Sequence, residues 1–178
     1  RVSAFVSISR GCNKNCAYCI VPTTRGPEAS RALDEIEKEV RILAHGGARE
    51  IVLLGQTVNS YGLDLNPRVR FTELLDKVGQ IKGIERIRFT TSHPNEMTQR
   101  LIDCFANISK LAVHLHLPVQ AGSDRVLMAM KRNYTALQFK STVRKLRAAN
   151  ANLTFTSDFI VGFPGETEAE FEATAQLM

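Results

Sequence analysis

Cys12, Cys16 and Cys19 share one short stretch with the spacing Cys-x-x-x-Cys-x-x-Cys. Thiolates are soft ligands that suit zinc or an iron–sulfur cluster. A structural zinc site is closed by four protein ligands, so zinc would have to recruit Cys104 or a histidine. A cubane cluster held by only three thiolates keeps one iron open, as chemistry at the metal requires. Ferredoxin clusters follow a Cys-x2-Cys-x2-Cys run with a fourth cysteine. The extra residue between Cys12 and Cys16 and the missing fourth cysteine therefore argue against simple electron transfer. Tyr18, just before Cys19, is either a packing partner for the bound group or a half-buried loop tyrosine.

The fourth cysteine of the chain, Cys104, lies beside Ile102 and Phe105 in an amphipathic stretch. It reads as a buried free thiol. His114 and His116 alternate with Leu115 and Leu117 and read as core or rim histidines. Three cysteines clustered in a chain without an export signal indicate a metal site in a reducing compartment, not a disulfide framework. The expected location is the cytoplasm.

The elements that must position these residues alternate in type. Strands are expected over Val2–Ser9, Glu50–Leu54, Arg86–Thr91, Ala112–Leu117 and Thr154–Val161. In the first, Ala4, Val6 and Ile8 share one face and Phe5 the other. Leu33, Ile36, Val40 and Leu43 recur at helical spacing, with Asp34, Glu35 and Glu37 at the start and Gly46-Gly47 at the end. Further helices are expected on Phe71, Leu74, Leu75, Val78 and Ile81, and on Met97, Leu101, Ile102 and Phe105. Others follow around Arg125–Met130 and from Thr135 through Leu137, Val143 and Leu146. Thr167 and Glu170 form a capping box for a last helix near Glu168.

Five strands alternating with helices imply an α/β fold with a parallel sheet and right-handed crossovers. A closed eight-stranded barrel takes about 250 residues, so 178 suffice for a partial (β/α) barrel or an open sheet. Chemistry in such folds gathers in loops leaving the carboxyl ends of the strands. The cysteine loop, Gly55–Asn59, Ser92–Pro94, Gln120–Ser123 and Gly162–Glu166 all fall on that rim. The opposite loops are plain turns. One active rim is the simplest reading.

Composition sets the outer limits. With 44% hydrophobic and 23% charged residues the chain is an ordinary globular one, not a disordered one. No apolar run approaches the roughly 20 residues of a membrane span. The net charge of +5 suits a polyanionic partner such as RNA and equally a plain soluble surface. Arg25 and Arg31, near the cysteines, are candidates for pairing with carboxylate or phosphate, or solvated loop residues. His93 and Asp158 are rim residues without an assigned role. Because the chain opens on Arg1 and stops at Met178 inside a helical pattern, it is expected to be part of a longer protein.

The cysteine spacing, the aromatic before Cys19 and the following β/α pattern resemble the radical S-adenosylmethionine superfamily. Within it, Arg10–Asn13, Ile20–Pro22, Thr24–Gly26 and Ser30-Arg31 are similar to methylthiotransferases. Leu53–Tyr61, Phe89–Pro94, His116–Gln120 and Asp158–Glu166 resemble the branch acting on isopentenylated adenosine in tRNA. The resemblance covers essentially the whole chain, so residues 1–178 are expected to be a radical S-adenosylmethionine core domain.

What the resemblance implies is specific. Cys12, Cys16 and Cys19 hold a 4Fe–4S cluster whose open iron takes S-adenosylmethionine. Gly55 and Gln56 meet the methionine end of that cofactor, Gln120 and Ser123 its ribose, and Ile160–Gly162 its adenine. Turn formation by Gly55 and Gly162 and helix capping by Gln120 and Ser123 are the plainer alternatives. The reaction adds a methylthio group to carbon 2 of N(6)-isopentenyladenosine beside the anticodon. A second 4Fe–4S cluster belongs to an N-terminal domain, and a C-terminal domain helps bind RNA. The partners are the tRNA anticodon stem-loop and an electron donor such as flavodoxin or ferredoxin. Residues 1–178 alone are then expected to lack complete methylthiotransfer.

Two other readings compete. One is a methylthiotransferase for threonylcarbamoyl-adenosine in tRNA or for an aspartate of a ribosomal protein. The other is a zinc-stabilised RNA-binding module. A dinucleotide-binding fold is excluded by the lack of a Gly-x-Gly-x-x-Gly turn after the first strand.

Overall fold

The computed structural model describes residues 2–178. The chain begins with β1 (Ser3–Ser7), β2 (Ser9–Arg10), α1 (Val21–Arg25), β3 (Ala29–Ser30) and α2 (Leu33–His45). It continues with β4 (Glu50–Leu54), α3 (Phe71–Gly79), β5 (Arg86–Phe89), α4 (Gln99–Asn107) and β6 (His114–His116). It closes with α5 (Asp124–Ala129), α6 (Ala136–Ala149), β7 (Thr154–Thr156) and α7 (Glu168–Leu177). Strands β1, β4 and β5 pair in that order, and β6 pairs with β7, all in parallel. A parallel bridge between Ile87 and Leu111 joins the two groups. The result is the partial (β/α) barrel, with its strand ends on one rim.

Alternation along the strands decides which face is covered. Val6, Ile8, Ile51, Leu53, Ile87 and Leu115 are buried. They form one core with Ile36 and Val40 of α2, Leu74, Leu75 and Val78 of α3, and Leu101, Ile102 and Phe105 of α4. Apart from Val52, which is buried, the intervening positions are mostly polar or open. Ser3 and Arg88 both donate to the Glu50 carboxylate, at 3.0 Å each, and Phe5 is 68% exposed. Helices α2, α3 and α4 thus cover one face of the sheet. Among the described residues, no helix is long and apolar enough to cross a membrane.

Several expected boundaries differ for identifiable reasons. The first strand stops pairing regularly at Ser7; Ser9 and Arg10 turn to pair antiparallel with Ala29 and Ser30. That small hairpin and α1 were not expected, because two-residue strands and a five-residue helix carry no hydrophobic period. The third and fourth strands are shorter at their ends than Arg86–Thr91 and Ala112–Leu117. The fifth strand ends at Thr156 rather than Val161. There the Ser157 hydroxyl donates to Leu117 O (2.9 Å) and accepts from Val119 N (3.0 Å), replacing the backbone ladder. In α6 the expected core residue Leu137 is 68% exposed, and Phe139 packs inward instead. The capping box of Thr167 and Glu170 forms as expected.

Candidate metal centre

The cysteine loop leaves β2 and is tied down by its own backbone. Cys12 N donates to Gly26 O (3.2 Å), Cys19 N to Cys16 O (3.1 Å), and Ala17 N to Met130 O (3.1 Å). These bonds turn all three cysteines toward one cavity of about 250 Å³. Its walls also carry Gly55, Gln56 and Thr57 after β4, Ser92 and His93 after β5, and Pro118 and Gln120 after β6. Four of the five expected rim loops therefore meet. The fifth, Gly162–Glu166, does not line the cavity.

Each thiol has a distinct setting. Cys12 Sγ lies 3.5 Å from Thr57 Oγ1 and accepts from Lys14 N at 3.4 Å. Cys16 Sγ accepts from the Arg132 guanidinium at 3.5 Å. Cys19 is exposed. Burial raises the Tyr18 hydroxyl well above its usual range against the opposing charge of Arg132, so Tyr18 stays neutral. Cys104 is buried in α4, where desolvation pushes its thiol up to about 11. Its Sγ donates to Arg100 O at 3.3 Å. Neither Cys104, His114 nor His116 lines the cavity, so none completes a closed four-ligand zinc site there. Among the described residues, no three His, Cys, Asp or Glu side chains are placed to hold a single metal ion.

The remaining walls suit a polar group seated beside the thiols. Gln56 Oε1 and Ser92 Oγ are buried without a hydrogen-bond partner. Leaving such atoms unpaired costs about 1–3 kcal/mol each, which a bound polar ligand would recover. Gln120 adopts φ +77°, receives a bond from Ile160 N (2.8 Å), and donates its own N–H to Asp158 O (3.0 Å). Ile160 thus abuts the lining without belonging to it. Ser123 caps α5 by accepting from Val126 N (3.4 Å) and donates to Glu170 (3.1 Å). Gly162, at φ +70°, makes a turn held by the Glu166 carboxylate (2.5 Å).

His93 is a structural neutral histidine. Burial lowers its pKa to about 3, with Arg132 and Lys14 adding to the effect, and its Nδ1 accepts from Asn95 N at 3.3 Å. Asp158 is exposed and pairs with His116 at 3.3 Å. Arg31 is spent on Ser7 O (2.8 Å) and Glu39 (2.7 Å), while Arg25 is exposed in the last turn of α1. The sequence placed Thr57 and Asn59 on a rim loop without a role for either side chain, and did not single out Arg132 or Tyr134. Their contribution lies in hydrogen bonds between distant segments, which leave no mark in spacing.

Glu28, on the loop that closes over Cys12, offers a test of the local electrostatics. Burial pushes its carboxyl up to about 7 from the usual 4.5; Asp64 and Glu96 add to this and Lys14 opposes it. A raised carboxylate pKa stabilises the fold below pH 4.5, and that stability is lost as pH rises through 7. Glu28→Gln removes the loss. Allowing for solvent screening, the variant should gain about 1–2 kcal/mol over the parent between pH 4.5 and 8. Urea midpoints at both pH values check this, and a difference that does not change with pH contradicts it.

The sequence profile of the radical SAM superfamily matches residues 6–178. The chain belongs to the radical SAM superfamily. This radical SAM chain is 58% identical over 178 residues to a tRNA-2-methylthio-N(6)-dimethylallyladenosine synthase of Thiobacillus denitrificans. It is 59% identical over 179 residues to the synthase of the same name from Bordetella petrii. Those matches take in 99% of this radical SAM chain but only 40% and 37% of the two relatives. Among solved structures, the radical S-adenosylmethionine methyltransferase TsrM from Kitasatospora setae superposes on 98% of the chain with a TM-score of 0.78. At 18% identity, over 33% of the TsrM chain, that likeness speaks to the fold alone. Methylornithine synthase superposes at 0.57, with 14% identity over 98% of this chain and 48% of that one.

Proposed function

We propose that residues 1–178 are the catalytic core of a tRNA methylthiotransferase acting on carbon 2 of N(6)-isopentenyladenosine beside the anticodon. The observation that carries this reading is the 58% identity along 99% of the chain to synthases of that name. Cys12, Cys16 and Cys19, gathered on one cavity, would hold three irons of a 4Fe–4S cluster. When bound, that cluster and S-adenosylmethionine supply a 5′-deoxyadenosyl radical for hydrogen abstraction.

The chain's own residues position and enclose. Gly55 and Gln56 would face the methionine end of S-adenosylmethionine and Gln120 its ribose. Ile160, bonded to Gln120, would begin the adenine side with Gly162, and Ser123 would support that wall from the cap of α5. His93 is neutral and its Nδ1 already accepts from Asn95 N, so it is not poised as a base, which suits a radical step needing none. A second cluster and further RNA contacts would come from N-terminal and C-terminal domains. The electron donor would be flavodoxin or ferredoxin, and the working compartment the cytoplasm, where tRNA is modified.

The deciding assay offers the full-length protein three substrates. These are tRNA with isopentenyladenosine, tRNA with threonylcarbamoyl-adenosine, and a ribosomal protein with the target aspartate. Methylthiolation of the first alone is expected. Modification of only the ribosomal protein would sink the tRNA assignment.

A further inference from the structure

Beside the cysteines lies a buried cation that coordination alone does not require. Arg132 is 5% exposed, and among the described residues none of the ion pairs includes it. Its three nitrogens are committed in three directions. Nη2 donates to Pro118 O (3.0 Å), Nε to Tyr134 Oη (3.0 Å), and Nη1 to Cys16 Sγ (3.5 Å). Tyr134 Oη donates in turn to Val119 O (2.7 Å), and its ring stands 5.3 Å from the guanidinium carbon. The planar fork is thus fixed in orientation, with the Cys16 sulfur as one of its three partners.

Burying a guanidinium without a carboxylate is costly, so the charge must be balanced by what the cavity holds. A cluster gains one negative charge when it accepts an electron. A fixed cation at 3.5 Å favours the reduced form, and an N–H bond to a ligating sulfur acts in the same sense. Arginine keeps its proton at every working pH, so the bias is permanent. Resting on the cluster reading above, we infer that Arg132 is a positioning residue that raises the reduction potential of the cluster through the Cys16 sulfur.

The test is a potentiometric titration of the reconstituted protein, one electron from a low-potential titrant, followed by paramagnetic resonance. Arg132→Met should lower the equilibrium constant for reduction about tenfold, or about 59 mV for a one-electron couple. Arg132→Lys keeps the charge without the fork and should shift less. A purely structural role would lower the melting temperature of the cluster-free chain without moving the potential. A midpoint for Arg132→Met within a factor of two of the parent in that constant overturns the inference. Should the methionine variant bind no cluster, Arg132→Gln must titrate below Arg132→Lys, and equal midpoints overturn it. Loss of cluster from all three variants would make Arg132 an assembly residue and overturn the claim about potential. Failure of the parent itself to take up iron is a separate result: it removes the cluster reading, and this inference with it.

Discussion

Gly11→Ala is expected to destabilise the fold by about 3 kcal/mol or more and to abolish iron uptake. Gly11 holds φ +70°, a backbone region in which side chains are strained. An alanine Cβ there would stand 2.1 Å from Pro27 O and 2.5 Å from Gly26 O. Both obstacles are backbone atoms, so no rotamer change relieves the overlap. Gly26 O is also the acceptor for Cys12 N, and Ala29 and Ser30 just beyond are paired with Arg10 and Ser9. Making room for the methyl group therefore opens the hairpin and moves Cys12. Urea midpoints and iron per chain after anaerobic reconstitution check both parts. Parent-like values for both would mean that the close approach is dispensable.

The second large effect is expected at Asn59. Its amide pairs with both backbone groups of His93: Nδ2 donates to His93 O (2.9 Å) and Oδ1 accepts from His93 N (3.0 Å). Both residues are buried, so Asn59→Ala strands one donor and one acceptor away from water. At about 1–3 kcal/mol for each unpaired group, a loss of roughly 2–6 kcal/mol follows. The clasp joins the loop after β4 to the loop after β5, and both are walls of the cavity. The cluster should therefore be lost faster in air from the variant as well. Asn59→Asp keeps the acceptor and should recover part of the stability. If the alanine variant unfolds at the parent's urea concentration, the clasp does not hold the two loops.

The sequence made the chemistry legible because that chemistry is local. Three thiols within eight residues need no fold to be recognised, and soft-ligand arguments then separate an open cluster from a closed zinc site. The rim was legible for a different reason. Periods of two and of three to four residues locate strands and helices such as β4 and α2, and strand ends locate the loops between them.

What stayed hidden depends on contacts between distant segments. Arg132 reaches Cys16 across 116 residues, carried there by a turn in which Lys131 and Asn133 take positive φ. The amphipathic pattern of α5 gives no hint of that turn. Ser157 likewise ends the last strand with its hydroxyl, although the apolar run continues to Val161. The consequence is functional. The loop expected to complete the rim, Gly162–Glu166, folds on its own glutamate instead of into the cavity.

The central claim is that Cys12, Cys16 and Cys19 together hold one cluster. Anaerobic reconstitution of the parent and of the four single cysteine-to-alanine variants tests it most directly, with iron content and paramagnetic resonance as readouts. About four irons per parent chain are expected from this site. Cys104→Ala should match the parent, because that buried thiol lies outside the cavity. Cys12→Ala, Cys16→Ala and Cys19→Ala should each lose most of the iron and the signal. Full iron content in Cys12→Ala, or a parent that binds one zinc and no iron, would contradict the account.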